Sequence, residues 1–145
     1  MTEPTWVRRD VLELLHSQTI AEHGGADGLR VEGLLESALA RPQNLCHYEN
    51  VSDVARLAAC YGFGLAKNHA FVDGNKRVSM VVTDVFLALN GTDLVASNED
   101  IVQVWLALAA GGIGENEFAA WLRANVQITP DPQLATLRIS GQQQP

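Results

Sequence analysis

The sequence predicts an all-α protein, a bundle of about six helices in one domain. Apolar residues recur at intervals of three and four along most of the 145-residue chain. The connections between these periodic segments are short, and no alternation of strand and helix patterns is present. Hydrophobic residues make up 47% of the chain and charged residues 19%, a composition that supports a buried core.

The first two helices are predicted from apolar spacing and from their stop signals. Apolar side chains between residues 7 and 20 follow helical spacing, and Gly24-Gly25 ends that helix. Residues 31–39 repeat the pattern in a shorter helix, which Pro42 limits. Residues 42–51 have no clear period, so we expect a loop or a small hairpin there.

Four more helices follow along the chain. Residues 52–68 are rich in alanine, leucine and aromatics, as in a buried helix, and residues 78–89 form a strongly apolar helix that stops at Asn90-Gly91. Ser97 is a capping residue that opens the fifth helix, and Gly111-Gly112 ends it. Apolar residues between positions 118 and 126 mark the sixth.

The composition changes after residue 126. Residues 127–145 contain three prolines and five glutamines but few large side chains. We therefore divide the chain into a folded domain over residues 1–126 and a C-terminal extension over residues 127–145, which we expect to be poorly ordered.

Charge and cysteine usage exclude several classes of function. The formal net charge is -7, from 10 basic and 17 acidic residues, which argues against broad binding of nucleic acid or of anionic membranes. Cys46 and Cys60 form neither a disulfide framework nor a CxxC metal pair. The sequence has no signal-peptide pattern and no apolar run long enough for a membrane span. We expect a cytoplasmic protein with reduced thiols.

One stretch, HAFVDGNKR at residues 69–77, interrupts the helical pattern between two apolar helices. It precedes a helix start, where free backbone N–H groups and the helix dipole attract anions. Gly74 allows close approach of a phosphate, Asn75 adds donors, and Lys76 and Arg77 add positive charge. The segment therefore predicts a phosphate site, although an Asp-Gly-Asn run by itself is usually a turn or a helix cap.

Two further residues of this segment indicate chemistry beyond anion binding. A carboxylate at Asp73 would repel phosphate unless a divalent cation joins the two, so we infer a Mg²⁺ site at Asp73. His69 can accept a proton near neutral pH, which suits activation of a hydroxyl nucleophile. Phe71 lies between them and is expected to anchor the loop in the core.

HAFVDGNKR resembles the signature of the Fic/Doc family, and residues 28–45 resemble the segment ahead of the active-site flap in Doc-type members. We judge that the resemblance covers about residues 5–126. It implies the all-α Fic bundle, with a small β-hairpin flap near residues 42–51 that aligns the target segment by strand addition. The roles that it implies are general base for His69, Mg²⁺ binding for Asp73, the anion site for Gly74, Asn75 and Lys76, and a phosphate contact for Arg77.

Two positions separate the subtypes that the resemblance leaves open. AMP-transferring members usually have glycine where this chain has Lys76 and a second arginine where it has Met80. The Doc type instead transfers the γ-phosphate of ATP to a threonine of elongation factor Tu and stops translation. The resemblance therefore implies a Ser/Thr kinase that uses ATP and Mg²⁺, with AMP transfer as the second hypothesis. A catalytically silent module that binds a nucleotide or a partner is the third.

The resemblance also bears on regulation. Many family members carry an inhibitory Ser/Thr-x-x-x-Glu-Gly/Asn motif, and this sequence has no match to it. Doc-type members are toxic because they stop translation, and a toxic enzyme without a built-in inhibitor requires a separate one. We therefore expect a Phd-like antitoxin as partner.

Overall fold

A computed structural model describes residues 3–129. In this range the chain forms six helices and a small two-stranded sheet. The strands pair antiparallel, with Asp93 opposite Gln127. The predicted all-α bundle with a small β element is confirmed. The elements in chain order are α1 (Arg9–His23), α2 (Glu32–Glu49), α3 (Val54–Asn68), α4 (Asn75–Leu89), β1 (Thr92–Leu94), α5 (Asn98–Ala110), α6 (Glu115–Ala124) and β2 (Val126–Ile128).

Helix α3 lies at the centre of the bundle and packs against α2, α4 and α6. A buried hydrogen-bond relay joins three helices at this point. The indole N–H of Trp105 donates to the hydroxyl oxygen of Ser79 at 2.9 Å, and that hydroxyl donates to the carbonyl oxygen of Gly62 at 2.7 Å. The relay satisfies all three polar groups inside the core, so it fixes α4 and α5 relative to α3.

Most helix ends fall where the local sequence signals predict them. Helix α1 ends at Gly24, and α5 ends at Gly111, whose φ of 81° is left-handed. The hydroxyl oxygen of Ser97 accepts a hydrogen bond from the backbone N–H of Asp100 at 3.1 Å and caps α5 as predicted. Asn90 follows the last residue of α4.

Helix α2 corrects the prediction for residues 42–51. It continues through Pro42 to Glu49, so Pro42 does not end it and the hairpin expected there is absent. Proline inside a helix costs about 3 kcal/mol. Pro42 shares a buried face with Leu35, Ala38 and Leu39, and the burial of that face against the bundle offsets the cost.

The described chain extends slightly past the predicted domain boundary. Strand β2 carries residues 127 and 128, and the backbone N–H of Thr129 donates to the carbonyl oxygen of Gly91 at 2.7 Å. Residues 130–145, the rest of the predicted extension, lie outside the described residues. No helix in the described range is both long and apolar enough to cross a membrane.

Candidate active site

The connection between α3 and α4 forms an open cavity of about 360 Å³. It begins at His69, the C-cap of α3, whose φ of 52° and ψ of 50° are left-handed. It ends at Gly74, the N-cap of α4, whose φ of 75° is also left-handed. The residues that line the cavity are His69, Val72, Asp73, Gly74, Asn75, Lys76 and Arg77. All six predicted site residues therefore lie around one cavity.

The start of α4 supplies backbone donors to this cavity. The first N–H groups of a helix have no partner within the helix, and in α4 they belong to Asn75, Lys76 and Arg77. The first turn contains no acidic residue and has two exposed cations. The helix dipole disfavours cations at this end, so Lys76 and Arg77 do not stabilise α4 itself. Their charges instead favour the binding of an anion at the helix start.

Gly74 is required at the helix start for two reasons. Its left-handed backbone is strained for residues with a Cβ. A Cβ built at this position would also lie 3.1 Å from the Cδ1 atom of Ile20. Glycine therefore fits this left-handed turn close to α1 without displacement of the Ile20 side chain.

The side chain of Asn75 holds the loop. Its Oδ1 atom accepts a hydrogen bond from the backbone N–H of Phe71 at 3.0 Å, and its Nδ2 atom donates to the Phe71 carbonyl oxygen at 3.0 Å. The side chain is buried, as is the ring of Phe71, which packs in the core as expected. Both polar atoms of the Asn75 side-chain amide thus bind the loop backbone, and the group of Asn75 that can donate to an anion is its backbone N–H at the start of α4.

The carboxylate of Asp73 is exposed and is held at the rim of the cavity. Its Oδ1 atom accepts from the backbone N–H of Gly74 at 3.1 Å, and its Oδ2 atom accepts from the backbone N–H of Ala26 at 3.3 Å. A Cβ at Gly25 would lie 2.9 Å from Oδ2. The loop after α1 therefore closes against this carboxylate.

The donor set at Asp73 fits Mg²⁺ bound together with a nucleotide. Among residues 3–129 no group of three or more histidine, cysteine, aspartate or glutamate side chains could form a metal site made of protein alone. Mg²⁺ is commonly bound by one or two carboxylates together with substrate phosphates and water. A single exposed carboxylate beside a helix N-terminus that can bind phosphate is compatible with that arrangement.

His16 is a component of the site that the sequence analysis did not identify. Its buried ring stacks on Phe71 with centroids 3.8 Å apart. Its Nε2 atom lies 2.7 Å from the carbonyl oxygen of Asp73, so Nε2–H donates to it. The signal for this role was present, because Leu12, Leu15 and His16 share the buried face of α1.

Cys46 and His47, two adjacent residues of metal-binding types, lie in helix α2. The imidazole of His47 pairs with the carboxylate of Glu3. This hydrogen bond lowers the pKa of the Glu3 carboxyl below its ordinary value. The pair therefore contributes to the surface contact between the N-terminal segment and α2, away from the cavity.

The loop that lines this cavity lies within a region of the chain that matches a known family. The model of the Fic/DOC family matches residues 6–87, more than half of the chain and all of the α3–α4 connection. The chain belongs to the Fic/DOC family. The resemblance stated from HAFVDGNKR is confirmed by this match.

Two curated relatives place the chain near the Doc-type members of the Fic/DOC family. The Protein kinase doc of Escherichia phage P1 is 31% identical over 109 residues, which are 75% of this chain and 86% of the phage protein. The Toxin Doc of Mycolicibacterium smegmatis is 43% identical over 76 residues, which are 50% of this chain and 57% of that toxin. Similarity to a protein named as a kinase indicates a transferase.

Proposed function

We propose that this Fic/DOC family member is a Doc-like kinase that transfers the γ-phosphate of ATP to a serine or threonine hydroxyl of a target protein. The observation that carries the proposal is a single cavity lined by the His69 imidazole, the Asp73 carboxylate and the cationic first turn of α4. A base, a carboxylate for Mg²⁺ and a phosphate site are the groups that phosphoryl transfer uses.

The phosphates of ATP bind at the N-terminus of α4 in this proposal. The backbone N–H groups of the first turn donate to phosphate oxygens, and Lys76 and Arg77 add charge. The planar guanidinium of Arg77 can grip two oxygens at once. Asp73 would hold Mg²⁺, which neutralises phosphate charge when it is bound.

His69 acts as the general base. Its exposed imidazole lines the same cavity as the phosphate site. The hydroxyl oxygen of the target attacks the γ-phosphorus while His69 takes the hydroxyl proton. The bond from the γ-phosphorus to the β–γ bridging oxygen breaks, and ADP leaves with that electron pair. A positioned base contributes roughly 10²–10⁴-fold to such a reaction.

We further propose that the target segment lies along residues 28–31, not along residues 42–51. Leu29 and Phe71 form an isolated antiparallel bridge, and the backbone N–H of Val72 donates to the carbonyl oxygen of Gly28 at 3.0 Å. Leu29 thus has a β-bridge to the loop that follows His69, and a target segment aligned beside it by strand addition would lie close to the base. Elongation factor Tu is the target that the Doc-type resemblance suggests.

Two positions support kinase chemistry over AMP transfer. Lys76 stands where AMP-transferring relatives usually have glycine, and Met80 stands where they usually have a second arginine. Met80 is half-buried and lines a cleft with Asp84 and Trp105, and among the described residues no cationic side chain lines that cleft. The name of the phage P1 relative is also that of a kinase.

Position-specific labelling of ATP tests the proposal. The purified protein is incubated in a bacterial extract with ATP labelled at either the α- or the γ-phosphate, beside a His69→Ala control. Protein labelled only from the γ-phosphate, and only by the wild type, is the expected result. Label from the α-phosphate would establish AMP transfer instead, and absence of label from both would indicate a binding module.

We also propose a Phd-like antitoxin as partner, because a relative is named as a toxin and this sequence has no inhibitory motif. Both proteins would act in the cytoplasm, where ATP and the proposed target are found. Co-expression with small proteins from neighbouring genes should restore growth in cells that express this chain. Failure of every neighbour to restore growth would contradict the antitoxin proposal.

A further inference from the structure

Arg30 donates hydrogen bonds to three consecutive carbonyl oxygens at the end of α3. Its Nε atom lies 2.7 Å from the carbonyl oxygen of His69, and its Nη2 atom lies 3.4 Å from that of Asn68. Its backbone N–H donates to the carbonyl oxygen of Ala70 at 2.7 Å, beside a second bond from Val31 N–H at 3.0 Å.

These carbonyls lie at and just after the end of α3, where the backbone has no intrahelical donor. The last carbonyls of a helix have no intrahelical donor and carry the negative end of its dipole. A guanidinium is well suited to them because it is a planar, permanently charged donor of several N–H groups. Arg30 thereby replaces the partners that the continued helix would have provided at Asn68, His69 and Ala70.

The residue held in this way has an unusual backbone. His69 is left-handed at φ 52°, a conformation that is uncommon for residues with a Cβ. The direction of its imidazole into the cavity depends on that conformation. Arg30 contacts the backbone of His69 directly and contacts no group that we assign to phosphate or Mg²⁺ binding.

The position of Arg30 is itself fixed. Val31 is the N-cap of α2, and Leu29 pairs with Phe71 in the isolated bridge. The arginine is therefore held between a helix start and an extended pair on the active-site loop. The side chain itself is exposed, and its hydrogen bonds to the His69 and Asn68 carbonyl oxygens hold it in place.

We propose that Arg30 is a positioning residue that holds His69 in its catalytic conformation. The kinetic consequence of this inference rests on the proposed kinase function. It predicts a loss in kcat with little change in the KM for ATP, because the phosphate site at the start of α4 does not include Arg30.

The test compares Arg30→Ala and Arg30→Lys with Arg8→Ala, a control at an exposed arginine that pairs with Asp10 at the start of α1. Misplacement of a catalytic group by about 1 Å can cost about 10²-fold, so we expect kcat to fall about 10- to 100-fold in Arg30→Ala with KM for ATP within twofold. Arg30→Lys keeps the charge and one donor and should recover part of kcat. An unchanged kcat, or a raised KM alone, would overturn the inference.

A second measurement separates this inference from the proposed function. The backbone ¹³C chemical shifts of His69 report its left-handed conformation without any turnover. They should move in Arg30→Ala and stay unchanged in Arg8→Ala, with both variants retaining the helical circular dichroism of the wild type. Unchanged His69 shifts in Arg30→Ala would overturn the inference even in an active enzyme, whereas a wild type that transfers no γ-phosphate would overturn the proposed function alone.

Discussion

The ring of His16 stacks face to face on the ring of Phe71, with the two planes inclined by only 12° and the centroids 3.8 Å apart. One residue belongs to α1 and the other to the loop between α3 and α4, 55 positions later in the chain. The stack and the hydrogen bond from His16 to the Asp73 carbonyl oxygen seat the candidate active site on the first helix. Two residues that are distant in sequence thus hold the loop: the buried His16, and Arg30, which donates to the His69 carbonyl oxygen.

Substitution of His16 should separate packing from hydrogen bonding. His16→Phe retains a ring against Phe71 but leaves the Asp73 carbonyl oxygen without its donor. We expect a loss of about 1 kcal/mol in the free energy of unfolding, the net contribution of one hydrogen bond, and a fall in the rate of γ-phosphate transfer. Urea unfolding and initial rates measure the two effects. Wild-type stability together with wild-type rate would show that the bond has no role.

Removal of the proposed base should abolish activity and spare the fold. Since His69 is exposed, His69→Ala leaves no cavity in the core. We expect the transfer rate to drop roughly 10²–10⁴-fold, while thermal unfolding stays within a few degrees of the wild type. His23→Ala, at an exposed histidine at the end of α1, is the matched control. A His69→Ala protein that transfers phosphate at a comparable rate would remove His69 from its proposed role.

Substitution of the proposed Mg²⁺ ligand should change the metal dependence of nucleotide binding. Asp73→Asn keeps the shape and the acceptor oxygen but removes the charge that attracts a hard divalent cation. Calorimetric titration with ATP should show that added Mg²⁺ strengthens binding to the wild type and to the exposed-site control Asp10→Asn. We expect that gain to disappear in Asp73→Asn. An equal gain in all three proteins would contradict the assignment.

The contact between α3 and its neighbours at Gly62 should tolerate no side chain. A Cβ there would lie 2.6 Å from the Oγ1 atom of Thr83 and 2.8 Å from a ring carbon of Phe118. Overpacking of this kind costs typically about 1–3 kcal/mol, so Gly62→Ala should lower the urea midpoint. Gly33→Ala is the control, because nothing lies within 4 Å of its Cβ position. Alanine is the better helix former, so Gly33→Ala should be neutral or slightly stabilising.

The two cysteines should differ in reactivity. Burial raises the pKa of the Cys60 thiol to about 11, while Cys46 is partly exposed on α2. Because the thiolate is the reactive form, iodoacetamide at pH 8 should modify Cys46 and leave Cys60 intact until urea unfolds the protein. As the pH approaches 11 the Cys60 thiol ionises, and its protection then depends on burial alone. Rapid labelling of Cys60 at pH 8 in the native protein, read by mass spectrometry, would contradict this.

Local signals in the sequence are sufficient to predict where most of the helices begin and end. The caps at Gly24, Ser97 and Gly111 act through neighbouring residues, so short-range reasoning predicts them. Pro42 misled the same reasoning, since its effect on α2 depends on what the helix packs against. Pro42 is buried with the preceding turns of α2, and Leu45 and Cys46 are half-buried against the core, contacts that no local rule records.

By itself the sequence determined the all-α class, the loop between α3 and α4, and the set of chemical groups in HAFVDGNKR, because periodicity and caps depend on neighbours along the chain. Only the tertiary structure decided how that loop is held. The Asn75 side chain turns inward to Phe71, while His16 and Arg30 reach the loop from positions about 40 to 57 residues earlier. Contacts across such separations arise when helices pack, so spacing along the chain does not reveal them.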